Sequence, residues 1–182
     1  MNPLLVIVGM PGSGKSTLVR HLEKKGWPAV HFGQITMDEV KRLNLPPTQA
    51  SEKQAREALR LKHGSTVYAE LSLKAILANL QKSVAVVDGL YSWDEYTYLK
   101  SKIPNPFYVV AVCADRGIRY ARLANRRTRS LPPAEAEARD IAEITKLQKG
   151  GPIAIADFTL VNNGTEQDLV PAIERVLQQI WS

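Results

Sequence analysis

Apolar positions along this chain follow two alternating spacings. Short runs rich in valine, isoleucine and leucine at 4–8, 29–32, 84–88, 107–112 and 158–161 predict five buried strands. Between them, 15–25, 51–63, 66–80, 93–101, 115–127, 134–148 and 166–180 carry apolar side chains at helical intervals. The last helix sets Leu169, Ile173, Val176, Leu177 and Ile180 on one face, suited to cover a sheet. Buried strands alternating with amphipathic helices predict an α/β fold whose parallel sheet is covered on both faces. Ser51 with Gln54, and Thr165 with Asp168, have capping-box spacing, and Gly150-Gly151-Pro152 reads as a helix stop after Lys149.

The turn between the first strand and the first helix carries the strongest chemical signal. Gly9-Met10-Pro11-Gly12-Ser13-Gly14-Lys15-Ser16-Thr17 matches G-x-x-x-x-G-K-[ST], the phosphate-binding loop, in the strand-to-helix setting that motif requires. Gly9, Gly12 and Gly14 let the backbone turn tightly and aim N–H groups at phosphate oxygens. Lys15 is placed to reach β/γ-phosphates, the helix N-terminus adds partial positive charge, and Ser16 offers its hydroxyl to Mg²⁺. The pattern predicts a nucleoside triphosphate site.

Other polar groups bear on what is done with that triphosphate. The third strand ends in Asp88-Gly89, a Walker-B-like arrangement with Asp88 near Mg²⁺; a base toward an acceptor hydroxyl, or a turn aspartate, also fits. Arg119, Arg122, Arg126 and Arg129 recur at i, i+3, i+7 and i+10, flanked by Arg116 and Arg127. On one continuous helix they would share a face, a repulsion that polyphosphate relieves; a solvated face paired with Glu135, Glu137 and Asp140 is the plainer alternative. Arg139, Asp140 and Glu143 form either a second phosphate contact or a surface network. Two stretches, 33–65 and 126–152, fit loosely into an α/β core and follow carboxyl ends of strands, where such sheets bind ligands. They are expected to serve as an acceptor-binding segment and a mobile lid. In the first, Lys41, Arg42, Lys53, Arg56, Arg60 and Lys62 are candidates for gripping an acceptor phosphate. Tyr91 and Trp93 suit either stacking on a ligand or packing a helix on the core. His21, His31 and His63 have no metal spacing and receive no role.

Composition narrows this further. With 182 residues, 45% of them hydrophobic, the chain suits one domain spanning 1–182. No apolar stretch approaches the ~20 residues of a membrane span, and the N-terminal run is short for a signal peptide, so a cytoplasmic location and no membrane partner are expected. Cys113 stands alone beside an apolar run, which suggests core packing. The net charge of +6 is concentrated in the arginine cluster, which suits a small anionic substrate at least as well as a nucleic acid.

The phosphate loop, Asp88-Gly89, the arginine-rich helix and Asn162-Asn163-Gly164 together resemble a small P-loop kinase over nearly the full length. The likeness runs to adenylate-kinase-like nucleoside monophosphate kinases and to dephospho-coenzyme A kinase. The loop favours the first; Leu131-Pro132-Pro133 to Arg139, Ala156-Asp157-Phe158 and Val161-Asn162-Asn163-Gly164 are similar to both. The resemblance implies a three-layer P-loop NTPase fold with a five-stranded parallel sheet ordered 2-3-1-4-5. It implies ATP and Mg²⁺ as cofactors, with Ser16 and Asp88 on the metal. It further implies Arg122 and Arg126 as lid arginines acting with Lys15 and Asp88, and Asn163-Gly164 where adenine is met. On the acceptor side the positions are Gly33, Arg42, Arg56, Arg60 and Tyr91. The departures lie there too. Monophosphate kinases follow the second strand with Gly-Asp and an arginine, where this chain has Gly33-Gln34 and then Met37; they carry an arginine two or three residues past Asp-Gly, where it has Tyr91 and Ser92; and the Asp-x-Asp of dephospho-coenzyme A kinases is missing after Phe32. The expected activity is ATP-dependent phosphoryl transfer to a small nucleotide-like acceptor by a monomer or homodimer. Dephospho-coenzyme A kinase-like activity is the alternative, and a nucleotide switch for a protein or RNA partner is the competing class.

Overall fold

The computed structural model describes residues 1–127 and 129–182; Thr128, within the expected lid segment, lies outside them. The five strands are β1 (Leu4–Val8), β2 (Ala29–His31), β3 (Ala85–Asp88), β4 (Phe107–Cys113) and β5 (Phe158–Val161). They form one parallel sheet in the order β2-β3-β1-β4-β5, as expected. The helices are α1 (Lys15–Lys24), α2 (Phe32–Arg42), α3 (Gln49–His63), α4 (Val67–Leu80), α5 (Trp93–Lys102), α6 (Arg116–Ala124), α7 (Pro133–Leu147), α8 (Gly150–Ala154) and α9 (Glu166–Trp181).

β1 is central, paired on both sides, and no residue in it is more than 1% exposed. That burial is why its sequence is a continuous apolar run without alternation. Its side chains still divide between two cores. Leu5 and Ile7 pack with Leu18, Leu22, Leu169 and Ile173 of α1 and α9. Leu4, Val6 and Val8 face Phe32, Tyr68, Ile76 and Leu99 on the opposite side. The Thr165–Asp168 capping box opens α9 as its spacing predicts.

Several expected boundaries move, each for a local reason. The second strand stops at His31, and Phe32 begins α2, which the sequence pattern left unassigned; Phe32, Thr36 and Val40 form its buried i, i+4, i+8 stripe. The cap of α3 is Thr48, whose hydroxyl accepts from the Ser51 N–H at 3.2 Å, so Ser51 is a buried first-turn residue with no capping role. α6 ends at Ala124, so the arginine stripe does not run along one helix; Arg126 and Arg129 lie in the chain beyond, Arg129 with φ 56°. α7 ends on a left-handed Gln148, and Gly150-Gly151-Pro152 then opens α8 where a plain stop was expected. Gly151 lies so close to the Trp93 indole that a Cβ would sit 2.7 Å from its Cε3, and Trp93 also packs on Tyr96 at 5.2 Å. Trp93 is therefore a packing residue.

The carboxyl ends of β1, β3 and β4 converge on the phosphate loop. The register pairs Ile7 with Asp88 and His31 with Asp88, so groups distant in sequence meet at one edge. The loop is braced from behind: the Asn162 amide donates to the Ser13 carbonyl at 2.7 Å, and Arg119 donates to the Pro11 carbonyl at 3.0 Å. Gly9 holds φ 145°, and a Cβ there would overlap the Val112 carbonyl oxygen. Gly9→Ala is expected to cost about 2 kcal/mol or more, since strained backbone and steric overlap act together; urea unfolding checks this, with unchanged stability the contrary outcome.

Candidate active site

A cavity of about 880 Å³ opens above the carboxyl ends of the strands. Pro11, Gly12, Gly14, Lys15, Ser16 and Thr17 form its floor. Gly9, Met10 and Ser13 are absent from the lining, so three of the nine motif residues serve the loop's own packing. Ser13 is fully buried, and the Met10 carbonyl accepts a 3.1 Å hydrogen bond from the Lys15 ammonium. The glycines thus answer to the protein behind the loop as much as to a ligand in front: a Cβ on Gly12 would sit 2.6 Å from the Arg119 carbonyl oxygen.

Lys15 is under electrostatic stress. Burial, reinforced by the neighbouring Lys149 ammonium, pushes its pKa down to about 7. Lys149 itself is 2% exposed, donates to the Glu143 carboxylate, and lies 5.1 Å from the Tyr91 ring centroid. Burial alone would raise the Glu143 carboxyl, but Lys149 and Arg139 outweigh it and bring the pKa down to about 2. Arg139 donates to Glu143 at 3.0 Å and lines the chamber with Arg56, Gly33 and Tyr91. Of the five positions expected on the acceptor side, Gly33, Arg56 and Tyr91 line this chamber. Tyr91 stays protonated, its phenol pKa raised by burial.

The other two, Arg42 and Arg60, do not line it. Arg42 is an exposed side chain bound to Glu39 at 2.6 Å and lies outside the chamber lining, because it ends the solvent side of α2. Arg60 is held against Glu95 at 3.2 Å, with its guanidinium 4.7 Å from the Tyr68 ring, and lines a neighbouring cavity between α3 and α7 in place of the chamber. Glu95 is completely buried, which explains why α3 must supply a cation to it.

Arg122, Arg126, Arg127 and Arg129 line the chamber, as does Arg20. Arg119 does not; buried between α6 and α7, it forms a paired contact with Asp140, 2.6 Å at its shorter bond. Arg122 donates to the carbonyls of Asn162 and Gly164 at 2.8 and 2.7 Å, fixing the loop after β5. Asn163 and Gly164 are not in the lining; the Asn163 side chain accepts from the Asp115 N–H at 2.9 Å. In total, nine lysines and arginines face three carboxylates, Glu52, Asp88 and Glu166, among the described residues lining the chamber.

The sequence assigned no role to His31, yet it lies on the chamber wall. Its Nδ1 is 3.1 Å from Asp88 Oδ2 and its Nε2 is 3.2 Å from Glu23 Oε1. The hydrogen bond to Asp88, helped by Glu23 and opposed by burial, raises its pKa to about 9. The signal existed: the strand-like runs 29–32 and 84–88 end beside His31 and at Asp88, and parallel pairing sets those ends side by side. For Lys149 no periodicity marks the position, because its burial depends on the α7–α8 corner.

Among the described residues no cluster of three or more His, Cys, Asp or Glu is arranged for a metal, so no all-protein cage exists. Mg²⁺ normally takes one or two protein oxygens plus substrate phosphates and water. The Ser16 hydroxyl and the Asp88 carboxylate, whose Oδ1 takes no hydrogen bond from the described residues, both line the chamber and suit that arrangement in kind.

The model for an AAA domain, AAA_18, matches residues 5–145. A UPF0200 protein of Thermococcus kodakarensis is 33% identical over 183 residues, covering 98% of each chain. One from Methanocaldococcus jannaschii is 31% identical, covering 97% of this chain and 90% of its own. The chain belongs to the AAA_18 domain family and to the UPF0200 proteins. Among solved structures, TT1252 from Thermus thermophilus superposes with a TM-score of 0.69 at 21% identity, covering 98% of both chains. Shikimate kinase from Bacteroides thetaiotaomicron gives 0.61 at 13% identity over 98% of both chains. A gluconokinase from Sinorhizobium meliloti gives 0.62 at 13%, covering 98% of this chain and 95% of its own. At these identities the UPF0200 chain shares their P-loop kinase fold. No helix among its described residues is long and apolar enough to cross a membrane.

The depressed Lys15 pKa makes a signed prediction. At pH 8 the free site holds Lys15 largely neutral, and a bound triphosphate restores its proton. Binding should therefore take up close to one proton at pH 8, and the contribution of Lys15 to the proton balance should fall towards zero below pH 6. Calorimetry in buffers of different ionisation enthalpy measures it; a pH-independent proton balance would contradict the assignment.

Proposed function

We propose that the protein is an ATP-dependent phosphotransferase acting on a small phosphate-bearing acceptor. The observation that carries this reading is a single chamber joining the phosphate loop to a second set of cations, Arg56, Arg139 and Lys149. A magnesium-bound triphosphate cancels only part of an excess of nine cations over three carboxylates. A second anion alongside it would relieve the rest. Nucleotide-like acceptors belong to this class, and dephospho-coenzyme A-like compounds extend it.

In this mechanism Lys15 and the loop N–H groups hold the β- and γ-phosphates of ATP. Arg122 and Arg126 neutralise charge that spreads over the transferring group. Arg56, Arg139 and Lys149 bring the acceptor's oxygen into line with the γ-phosphorus. Mg²⁺ held between Ser16, Asp88 and the phosphates would supply further charge neutralisation. His31 orients Asp88 through its 3.1 Å contact and leaves the other carboxylate oxygen available. Positioning and electrostatics then account for most of the rate.

Product analysis with ATP, Mg²⁺ and a panel of nucleoside monophosphates, nucleosides and dephospho-coenzyme A tests the reading. Transfer of the γ-phosphate to a small molecule is expected; ATP turnover stimulated only by a protein or RNA would favour a switch. Lys15→Ala should abolish triphosphate binding. Arg126→Ala should lower kcat on the order of 10²-fold while ATP affinity stays within a few-fold, because its contact strengthens in the transition state.

A further inference from the structure

A second cavity, of about 680 Å³, runs between α3 and α7 and shares Gln49, Arg56, Tyr91 and Arg139 with the phosphate chamber. Its character is different. Ala50, Leu61, Leu131, Ala138, Ala142 and Leu147 line it, together with the aliphatic stems of basic side chains. Of the charged residues on its lining away from the junction, Lys53, Glu57, Glu135 and Lys146 are exposed, which puts their charges at the rim, and the less exposed Arg60 and Glu143 are already paired, with Glu95 and with Arg139 and Lys149. Tyr91 is its single aromatic lining residue among the described ones, and that ring already packs on Phe32 and Tyr68, 6.4 and 5.7 Å away. No second ring stands opposite to sandwich a nucleobase.

The polar groups concentrate at the junction of the two cavities. Arg56 makes no hydrogen bond to the described residues and approaches Glu52 only at 3.6 Å. Arg139 spends one nitrogen on Glu143 and reaches Gln49 at 3.5 Å. Two guanidinium groups with spare donors therefore meet where an apolar trench opens into a strongly cationic chamber. Guanidinium pairs match the oxygens of a phosphate, and a trench of methyl and methylene groups matches an aliphatic body.

We infer that the acceptor is a phosphate monoester of an aliphatic alcohol, its phosphate at Arg56 and Arg139 and its hydrocarbon body in the α3–α7 cleft. This deepens the phosphotransferase reading and rests on it. A non-bridging oxygen of the acceptor's phosphate dianion forms the new bond to the γ-phosphorus. The bond from that phosphorus to the β,γ-bridging oxygen breaks, and ADP leaves with the electron pair. The product is an organic diphosphate, and no proton has to be removed from the attacking oxygen.

The test titrates methyl, butyl and octyl phosphate, with AMP beside them, into the full chain saturated with Mg²⁺ and a non-hydrolysable ATP analogue. Calorimetric Kd should fall along the alkyl series, by up to about fourfold per buried methylene, and octyl phosphate should bind more tightly than AMP. Ala138→Glu and Leu61→Glu change exposed residues of the cleft wall, so the fold should tolerate both. Each should flatten the chain-length dependence without changing affinity for the ATP analogue. Arg56→Met should weaken the whole series by one common factor. Affinity independent of chain length in the wild type, or a slope that survives in both glutamate variants, would overturn the inference. Turnover is scored separately. γ-Phosphate transfer to AMP with a flat alkyl series removes the aliphatic acceptor and keeps the phosphotransferase; a steep series without any diphosphate product removes the phosphotransferase.

Discussion

The buried guanidinium of Arg119 joins the parts that a triphosphate site needs. One nitrogen donates both to the Pro11 carbonyl in the phosphate loop and to Asp140, while a second completes the paired contact with Asp140 on α7. The donor loop, α6 and the helix that carries Arg139 and Glu143 are thereby tied to one planar group. A buried pair of this kind owes its value to geometry, because desolvation consumes much of the Coulombic gain. Removing either partner would leave a charge stranded behind the loop. The constraint also separates the arginines by duty: Arg119 is structural, and its neighbours along the sequence are left to face the chamber.

Within that frame, and on the proposed reading of a donor and an acceptor side, the two ends of the cavity are made differently. The donor side is backbone: a tightly wound loop whose glycines are fixed by the Val112, Arg119 and Asn162 groups behind them. The acceptor side is made of long side chains on α3, α7 and the α7–α8 corner, held by Glu52 and Glu143. Backbone groups recognise what all triphosphates share. Side chains on helices that pack on one another can be exchanged with little cost to the sheet, so the acceptor face is free to vary within one fold.

This division explains what could be read from the chain. The strands, the parallel sheet and the phosphate loop follow from local runs, while the strand order comes from the family resemblance: 4–8 is apolar throughout because it is covered on both faces, and 9–17 is a contiguous motif. Residues that act through distant partners left weaker traces. His31 looked like the end of a strand until the register set it against Asp88. Arg119, Arg122, Arg126 and Arg129 have perfect helical spacing, yet α6 ends at Ala124, and no periodicity shows which of them turns inward. Arg42 and Arg60 differ from Arg56 by where α2 and α3 meet solvent and Glu95, a tertiary fact. Lys149 depends on a left-handed residue, Gln148, that single-residue propensities do not favour.

The charge of the chamber reaches beyond chemistry. By formal count, nine lysines and arginines against three carboxylates put six positive charges on its walls, equal to the formal +6 of the whole chain, so the rest of the molecule balances in formal charge. His31, its pKa raised to about 9, adds to that surplus near neutral pH, and the neutral fraction of Lys15 subtracts from it. The long-range field therefore centres on the chamber's mouth. An approaching polyanion is drawn to that mouth, and each anion seated there weakens the field that the next one meets.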